Sequence, residues 1–459
     1  MDTLERIRQE ALSPRKTDDG RPCLGIVVPP SPFTVPEGWE FVLRRPFEGV
    51  SYIATVLHNA GYRIKIIDVR WIADPVNAAL EGTLEGVDVL GIATYEDSFL
   101  FLEEFLSRVK QKHPGMLTIL GGSLVTSVPQ IVMENTRADI AVLGEGELTV
   151  LELMDRITKD KIGPIEEVPG LCYKNNSGGI IFNQRRPQMQ NLNSLPTMNF
   201  SLWPEVHEKP RIKEIFFSHS RGCYRDCSFC YRTTPRLSLK SIDKFRNELR
   251  ELKGKHQFEF IYFVDLTFAI DKERAIKICE VLKEFNIRWS CMCRAENLNK
   301  EILTKMKEAG CQIILYGFES LDQDILDKAH KGISPAEIRM MVGLTQEAGI
   351  QVGGLFILGL PGETPGSLNK VLEFINDTGS ACRVKYLSAI PGTEIYRLAV
   401  EKGIIKNEVQ HLRWLSKERG QSDDEFINFT DLPDQELRRI CKEINSNYIK
   451  GPRVYEDWF

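Results

Sequence analysis

The chain has no apolar run long enough to cross a bilayer, so no helical membrane span is expected. It has no excess of basic residues. Its 59 Lys and Arg face 64 Asp and Glu for a net charge of −5, and nothing in that charge points to a nucleic-acid partner. Its first residues, MDTLERIRQEALSPRK, lack the apolar stretch of a signal peptide, so the expected compartment is the cytoplasm. Its cysteines do not form an even, regular set. There are 11, spread unevenly, which in a chain without an export signal favours thiol or metal roles over disulfides. What remains is globular in character: 42% hydrophobic and 27% charged residues, over 459 residues that exceed one ordinary core.

The pattern along the chain predicts five segments: a polar arm (1–22), an α/β domain (23–163), a hairpin and linker (164–212), a second α/β domain (213–402), and a charged, mostly helical segment (403–459) ending in Tyr448, Tyr455, Trp458 and Phe459. In the first domain CLGIVV stops at Pro29-Pro30, and a Pro- and Gly-bearing loop follows to residue 47. Val50, Ile53, Ala54 and Leu57 then recur at helical spacing. Strands are predicted at 63–69, 88–95, 117–120 and 139–143, giving a five-strand, doubly wound parallel sheet of the flavodoxin or Rossmann kind. Asn175-Asn-Ser-Gly178 marks a hairpin turn. From Glu214 six strand–helix units suggest a partial, TIM-like (β/α)6 barrel, whose chemistry belongs at the carboxyl ends of its strands.

Behind the first of those strands stands Arg221-Gly-Cys-Tyr-Arg-Asp-Cys-Ser-Phe-Cys-Tyr231. Cys223, Cys227 and Cys230 can reach three corners of one iron–sulfur cube, and no fourth cysteine lies nearby. Clusters normally take four thiolates, so a compact trio reads as a catalytic cluster with one iron free for a small molecule. A zinc site completed by His219 or by Cys291 and Cys293 is the alternative. The Cys291-Met-Cys293 pair reads more simply as core, both thiols on one face of a strand.

The trio, with Phe229 before its last cysteine, resembles the signature of the radical S-adenosylmethionine (radical SAM) enzymes. Further motifs fall one per strand end: Val264-Asp265-Leu-Thr267-Phe268, Arg294, Gly317-Phe-Glu319-Ser320, Gly359-Leu-Pro361-Gly-Glu363, and Pro391-Gly-Thr393 past Leu387. The resemblance implies that Cys223, Cys227 and Cys230 hold a [4Fe-4S] cluster. It also implies that Phe229, Asp265, Thr267, Arg294, Glu319, Ser320, Gly359, Pro361 and Leu387 bind S-adenosylmethionine. The physics agrees, since a carboxylate suits an amine and an arginine suits a carboxylate. Each charge also has a plain alternative as a cap or an ion pair.

The first domain resembles the cobalamin-binding domain of a subgroup of these enzymes. That implies a corrin site from Glu48, Tyr52, Asp68, Thr94, Tyr95, Gly121, Gly122, Ser123, Gly144, Glu145 and Gly146. Tyr52, Tyr95 and Trp39 are expected in loops able to line the corrin. A domain that has lost the ligand is the competing view. No Asp-x-His occurs, so no lower axial histidine of that motif is available.

The resemblance implies methylation of an unactivated carbon in a small molecule, natural product or lipid, driven by a 5′-deoxyadenosyl radical and methylcobalamin, with electrons from flavodoxin or ferredoxin. The substrate is expected between the two domains. Rearrangement, cyclisation or sulfur insertion is the alternative outcome, and a non-catalytic sensor a more distant one. The first domain has no three-cysteine motif for methylthiolation; Cys23 and Cys172 stand alone.

Overall fold

A computed structural model describes residues 22–30, 45–158, 164–204, 212–417 and 426–450. The polar arm, most of the loop before residue 45 with Trp39, and the aromatic end from Tyr455 lie outside the described residues. The described residues divide between two compact units. One spans the chain up to Lys213, with Arg232–Gln257 and the segment beginning at Ile405; the other holds Glu214–Tyr231, Phe258–Ile404 and the last helix.

The first unit runs β1 (Cys23–Val28), α1 (Glu48–Asn59), β2 (Arg63–Asp68), α2 (Pro75–Leu84), β3 (Val89–Thr94), α3 (Phe99–Lys112), β4 (Leu117–Gly122), α4 (Ser123–Ser127), α5 (Pro129–Asn135), β5 (Ile140–Val142), α6 (Glu147–Thr158), β6 (Leu171–Lys174) and β7 (Ile180–Phe182). The sheet order is β2-β1-β3-β4-β5-β6-β7. The first five strands are parallel, as the buried, β-branched runs predict.

Three features differ from the sequence expectation. The 171–182 hairpin is not merely part of a linker; it pairs antiparallel onto β5 and extends the sheet. Helix α2 was not expected, although Asp74 caps it, its side chain accepting from the Asn77 N–H, and Pro75 opens it. Tyr52 is not in a loop but in α1, fully buried.

The second unit is a six-stranded, all-parallel sheet. Its strands are β8 (Glu214–Phe217), β9 (Phe260–Phe263), β10 (Arg288–Cys293), β11 (Cys311–Glu319), β12 (Gln351–Leu358) and β13 (Ala381–Tyr386), in order β13-β12-β11-β10-β9-β8. Helix α7 (Ile242–His256) falls within the first unit. Between the barrel strands run α8 (Lys272–Phe285), α9 (Lys300–Glu308), α10 (Gln323–Lys328), α11 (Pro335–Glu347) and α12 (Pro365–Thr378); α13 (Glu394–Glu401) follows, then α14 (Glu408–Leu415), which falls within the first unit, and α15 (Asp434–Lys450). The expected caps are in place. The Asn299 side chain accepts from Ile302 N–H, and Ser334 and Glu337 form a reciprocal capping box. Among the described residues no helix is long and apolar enough to cross a membrane.

Candidate cluster and cofactor sites

The cysteine loop leaves β8 at the carboxyl edge of the barrel sheet. Gly222, at φ 80°, turns the chain into it. Two distant elements then clamp its backbone: Ser228 N–H donates to Ala329 O at 3.1 Å, and Ile395 N–H donates to Ser228 O at 3.0 Å. Cys223 and Cys227 are buried and Cys230 is partly exposed. Three thiols on a loop this firmly held suit a cluster, because no strand or helix must deform to present them. The zinc alternative loses its extra ligands. The His219 ring is engaged by Phe268 O at 3.1 Å and by Arg274 at 3.3 Å. Cys291 and Cys293 are buried in β10 with sulfurs 3.6 Å apart, as the core reading expects.

The other barrel residues gather at the same edge. Asp265 is buried after β9, and its carboxylate accepts the His219 N–H at 3.1 Å and the Ser220 hydroxyl. It therefore braces the entry to the cysteine loop. Thr267 is 1% exposed, and its Oγ1 finds no hydrogen-bond partner among the described residues. Such an orphaned buried hydroxyl is costly unless a polar ligand meets it, which fits S-adenosylmethionine. Arg294 is buried and held on every nitrogen: Nε by Glu296, Nη2 by Lys331 O, and Nη1 at 3.4 Å from Cys227 Sγ. Burial opposes its charge, but Glu296 and Cys227 outweigh that and raise its pKa.

Glu319 closes β11 in a left-handed conformation, φ 65°, and pairs with Lys331 at 3.0 Å, both side chains buried. A Cβ on Gly317 would lie 2.4 Å from the Glu319 carboxylate, so glycine there makes room for this pair. Ser320 Oγ accepts the Asp322 N–H at 3.2 Å. The Lys331 ammonium also lies 5.8 Å from the Phe229 ring centroid. Lys331 and Glu296 were not legible in the sequence, because their importance comes only from partners far along the chain.

Two expected positions are covered by the chain itself. A Cβ on Gly359 would meet Ile427 O at 2.6 Å, and Leu387 pairs with Ile427 in an isolated bridge. Pro361 lies in the same turn, where Glu363 reaches back to accept the Gly359 N–H at 2.7 Å. Burial pushes the Glu363 carboxyl up to about 8 against that hydrogen bond and one from Leu360.

In the first unit the strand-end residues meet as expected at only some positions. Gly122 has φ 128°, and a Cβ there would lie 2.2 Å from Thr94 O. Only glycine lets the β4 end lie against β3. Ser123 Oγ donates to Thr94 O at 3.4 Å, and Val125 N–H to Thr94 Oγ1 at 3.3 Å. Gly144, at φ 85°, donates its N–H to Thr126 Oγ1 at 3.0 Å, and its Cβ direction is open space. Gly121 borders Val142, Gly146 borders Ile53, and Glu145 accepts the Met189 N–H. This side-chain-free rim fits a broad, flat cofactor laid over strand ends.

Four acids and phenols lie differently. Asp68 is buried in an ion pair with Arg70, whose Nε donates at 2.9 Å; burial raises its pKa against that pull. Glu48 and Tyr52 belong to a buried cluster around Lys240. Tyr95 is half-buried, edge-on to Phe47 at 5.6 Å.

Comparison with known proteins bears on both units. Residues 217–375 match the radical SAM superfamily and residues 48–154 match the B12 binding domain. An uncharacterized methyltransferase of Pyrococcus horikoshii is 28% identical over 416 residues, 88% of each chain. Cytidylyl-2-hydroxyethylphosphonate methyltransferase of Streptomyces wedmorensis is 22% identical, covering 89% of this chain and 87% of the relative. Anaerobic magnesium-protoporphyrin IX monomethyl ester cyclase of Rubrivivax gelatinosus is 24% identical, covering 74% of this chain and 63% of the relative. Among solved structures, the radical S-adenosylmethionine methyltransferase TsrM of Kitasatospora setae superposes with a TM-score of 0.68 at 15% identity, covering 83% of this chain and 77% of that one. The cobalamin-dependent enzyme OxsB superposes at 0.65 and 18% identity, covering 95% of this chain and 57% of that one. With a B12-binding domain followed by a radical SAM domain, this chain belongs to the cobalamin-dependent radical SAM enzymes.

Proposed function

We propose that the enzyme is a C-methyltransferase that modifies an unactivated carbon of a small molecule, a natural product or lipid among them. The observation that carries this reading is the pair of relatives named as methyltransferases, each matching nearly nine-tenths of the chain. When bound, the cluster with S-adenosylmethionine supplies a hydrogen-abstracting radical, and cobalamin supplies a methyl carrier.

The chain's own contribution is holding and shielding. Cys223, Cys227 and Cys230 hold the cluster on a loop clamped by Ala329 and Ile395. Phe229, Thr267, Arg294, Glu319, Ser320 and the Gly359–Pro361 turn, with Leu387 beside it, form the S-adenosylmethionine side. Thr267 offers a hydroxyl with a vacant hydrogen-bond position, and Asp265 orients the loop entry. Thr94, Gly121–Ser123 and Gly144–Gly146 form the corrin rim. Asp68 shapes it through Arg70; Glu48 and Tyr52 support it through Lys240. Flavodoxin or ferredoxin serves as electron donor.

Anaerobic reconstitution with iron, sulfide, cobalamin and S-adenosylmethionine tests this, with a reductant and a panel of candidate substrates. The expected result is 5′-deoxyadenosine, S-adenosylhomocysteine and a product heavier by one methylene unit. A turned-over product with unchanged carbon count would refute methyl transfer and favour the second reading, radical cyclisation, to which the similarity of the Rubrivivax gelatinosus cyclase lends support.

A further inference from the structure

Arg294 is expected, by resemblance, to serve a ligand carboxylate. Its position suggests a different or additional duty. Its Nη1 lies 3.4 Å from Cys227 Sγ, within hydrogen-bonding range for sulfur. The guanidinium is also fixed by Glu296 on Nε and by the Lys331 carbonyl on Nη2. Lys331 is itself tied at 3.0 Å to Glu319. Two anchors on the guanidinium, one of them braced in turn by Glu319, therefore aim one N–H at one thiol. Arg294 is 7% exposed, so water does not screen its charge there. Lys331, also near the loop, is partly neutralised by Glu319, and Arg225 is more exposed, 3.6 Å from Glu296.

We propose that Arg294 is a positioning residue for the cluster: its charge-assisted N–H···S bond to Cys227 raises the reduction potential of the cluster that this thiolate ligates. The inference rests on the cluster assignment made above. Hydrogen bonds to ligating sulfurs and nearby positive charge both stabilise the more negative, reduced cluster. This sets how readily one electron from the donor is accepted. Arginine suits the task because its planar fork holds two anchors while still donating to the sulfur. Glu296 is then the residue that aims the fork.

The test is an EPR-monitored redox titration of the reconstituted holoenzyme, with dithionite and mediators, of the wild type and of Arg294→Met, Arg294→Gln and Arg294→Lys. Iron per chain is measured alongside. At a fixed poise, Arg294→Met is expected to lower the ratio of reduced to oxidised cluster about tenfold at unchanged iron content. That ratio corresponds to about 59 mV for a one-electron couple. Arg294→Gln, which keeps a donor without the charge, should fall between; Arg294→Lys, which keeps the charge without the fork, should recover most of the loss. Equal potentials in all variants at full iron content would overturn the proposal. Loss of iron from all three would overturn it too, by showing that Arg294 builds the loop rather than tuning it. A wild type that assembles no cluster would instead overturn the functional reading on which the proposal stands.

Discussion

Lys240 offers the sharpest test of the packing in the first unit. Its side chain is 1% exposed, and its ammonium lies 2.8 Å from Glu248, itself 1% exposed, and 3.9 Å from Glu48. The ring of Tyr52 is 5.5 Å away. Burial works against the lysine charge, yet Glu248, Tyr52 and Glu48 together hold its pKa above the ordinary value. At an effective dielectric of about 20, one ion pair at 4 Å is worth roughly 4 kcal/mol. Lys240→Met removes that attraction and leaves Glu248 buried. Losing one partner of a buried pair costs about 3–5 kcal/mol. Lys244 remains 3.3 Å from Glu248, which places the cost near the lower end, about 3 kcal/mol. The double variant Lys240→Met/Glu248→Leu leaves no orphaned charge at that position, because Glu48 is 14% exposed and can be hydrated. It should return to within about 1 kcal/mol of the wild type. Urea unfolding followed by tryptophan fluorescence reads this, since Trp203 is fully buried in the same unit. The single variant's midpoint should fall by about 1 M urea and the double variant's should recover. An unchanged midpoint in Lys240→Met, or a double variant less stable than the single, would refute the reasoning.

The remaining predictions concern the two sites. Glu363 titrates near 8 when folded against 4.5 as its ordinary value, so the folded state holds an extra proton between those limits. Stability should fall as pH rises from about 4.5 to about 8, by roughly 5 kcal/mol in total. Glu363→Gln should flatten this slope in melting temperature against pH and be the more stable form at pH 8; an unaltered slope would show that the carboxyl ionises freely. Gly122→Ala must accommodate a contact with the Thr94 carbonyl at a positive φ, a strain of about 1–3 kcal/mol or more. Purified after reconstitution, it should have a lower melting temperature and lose the corrin visible spectrum. Replacing Cys223, Cys227 or Cys230 by Ala should abolish iron retention, whereas Cys291→Ala should leave iron content unchanged, as measured by iron assay of the purified protein.

Much of the architecture follows from local rules that act within a few residues. Buried, β-branched runs alternating with amphipathic stretches produce two sheets built on parallel strands, because such strands bury both faces. Asn299 and Ser334 start their helices because a side-chain oxygen meets an orphan N–H wherever the rest of the protein lies. The spacing of Cys223, Cys227 and Cys230 is likewise local, a matter of one loop's reach. The less local choices were not legible. Hairpin Asn175-Asn-Ser-Gly178 announced its turn but not its place at the sheet edge, since pairing with β5 depends on an edge exposed elsewhere. Helix α2 was missed because only Asp74 and Pro75 mark it against a weak apolar pattern.

What the sequence alone determined is therefore the list of chemical groups and their order: a thiol trio, strand-end glycines, and two α/β domains in succession. What only the tertiary structure decided is which groups meet. Arg294 beside Cys227, Glu319 with Lys331, Asp68 with Arg70, and Lys240 between Glu48 and Glu248 are pairs in which neither partner's type reveals the other. Charge and hydrogen-bonding energies depend on distance and burial, and both are properties of the folded chain rather than of the residues written in a line.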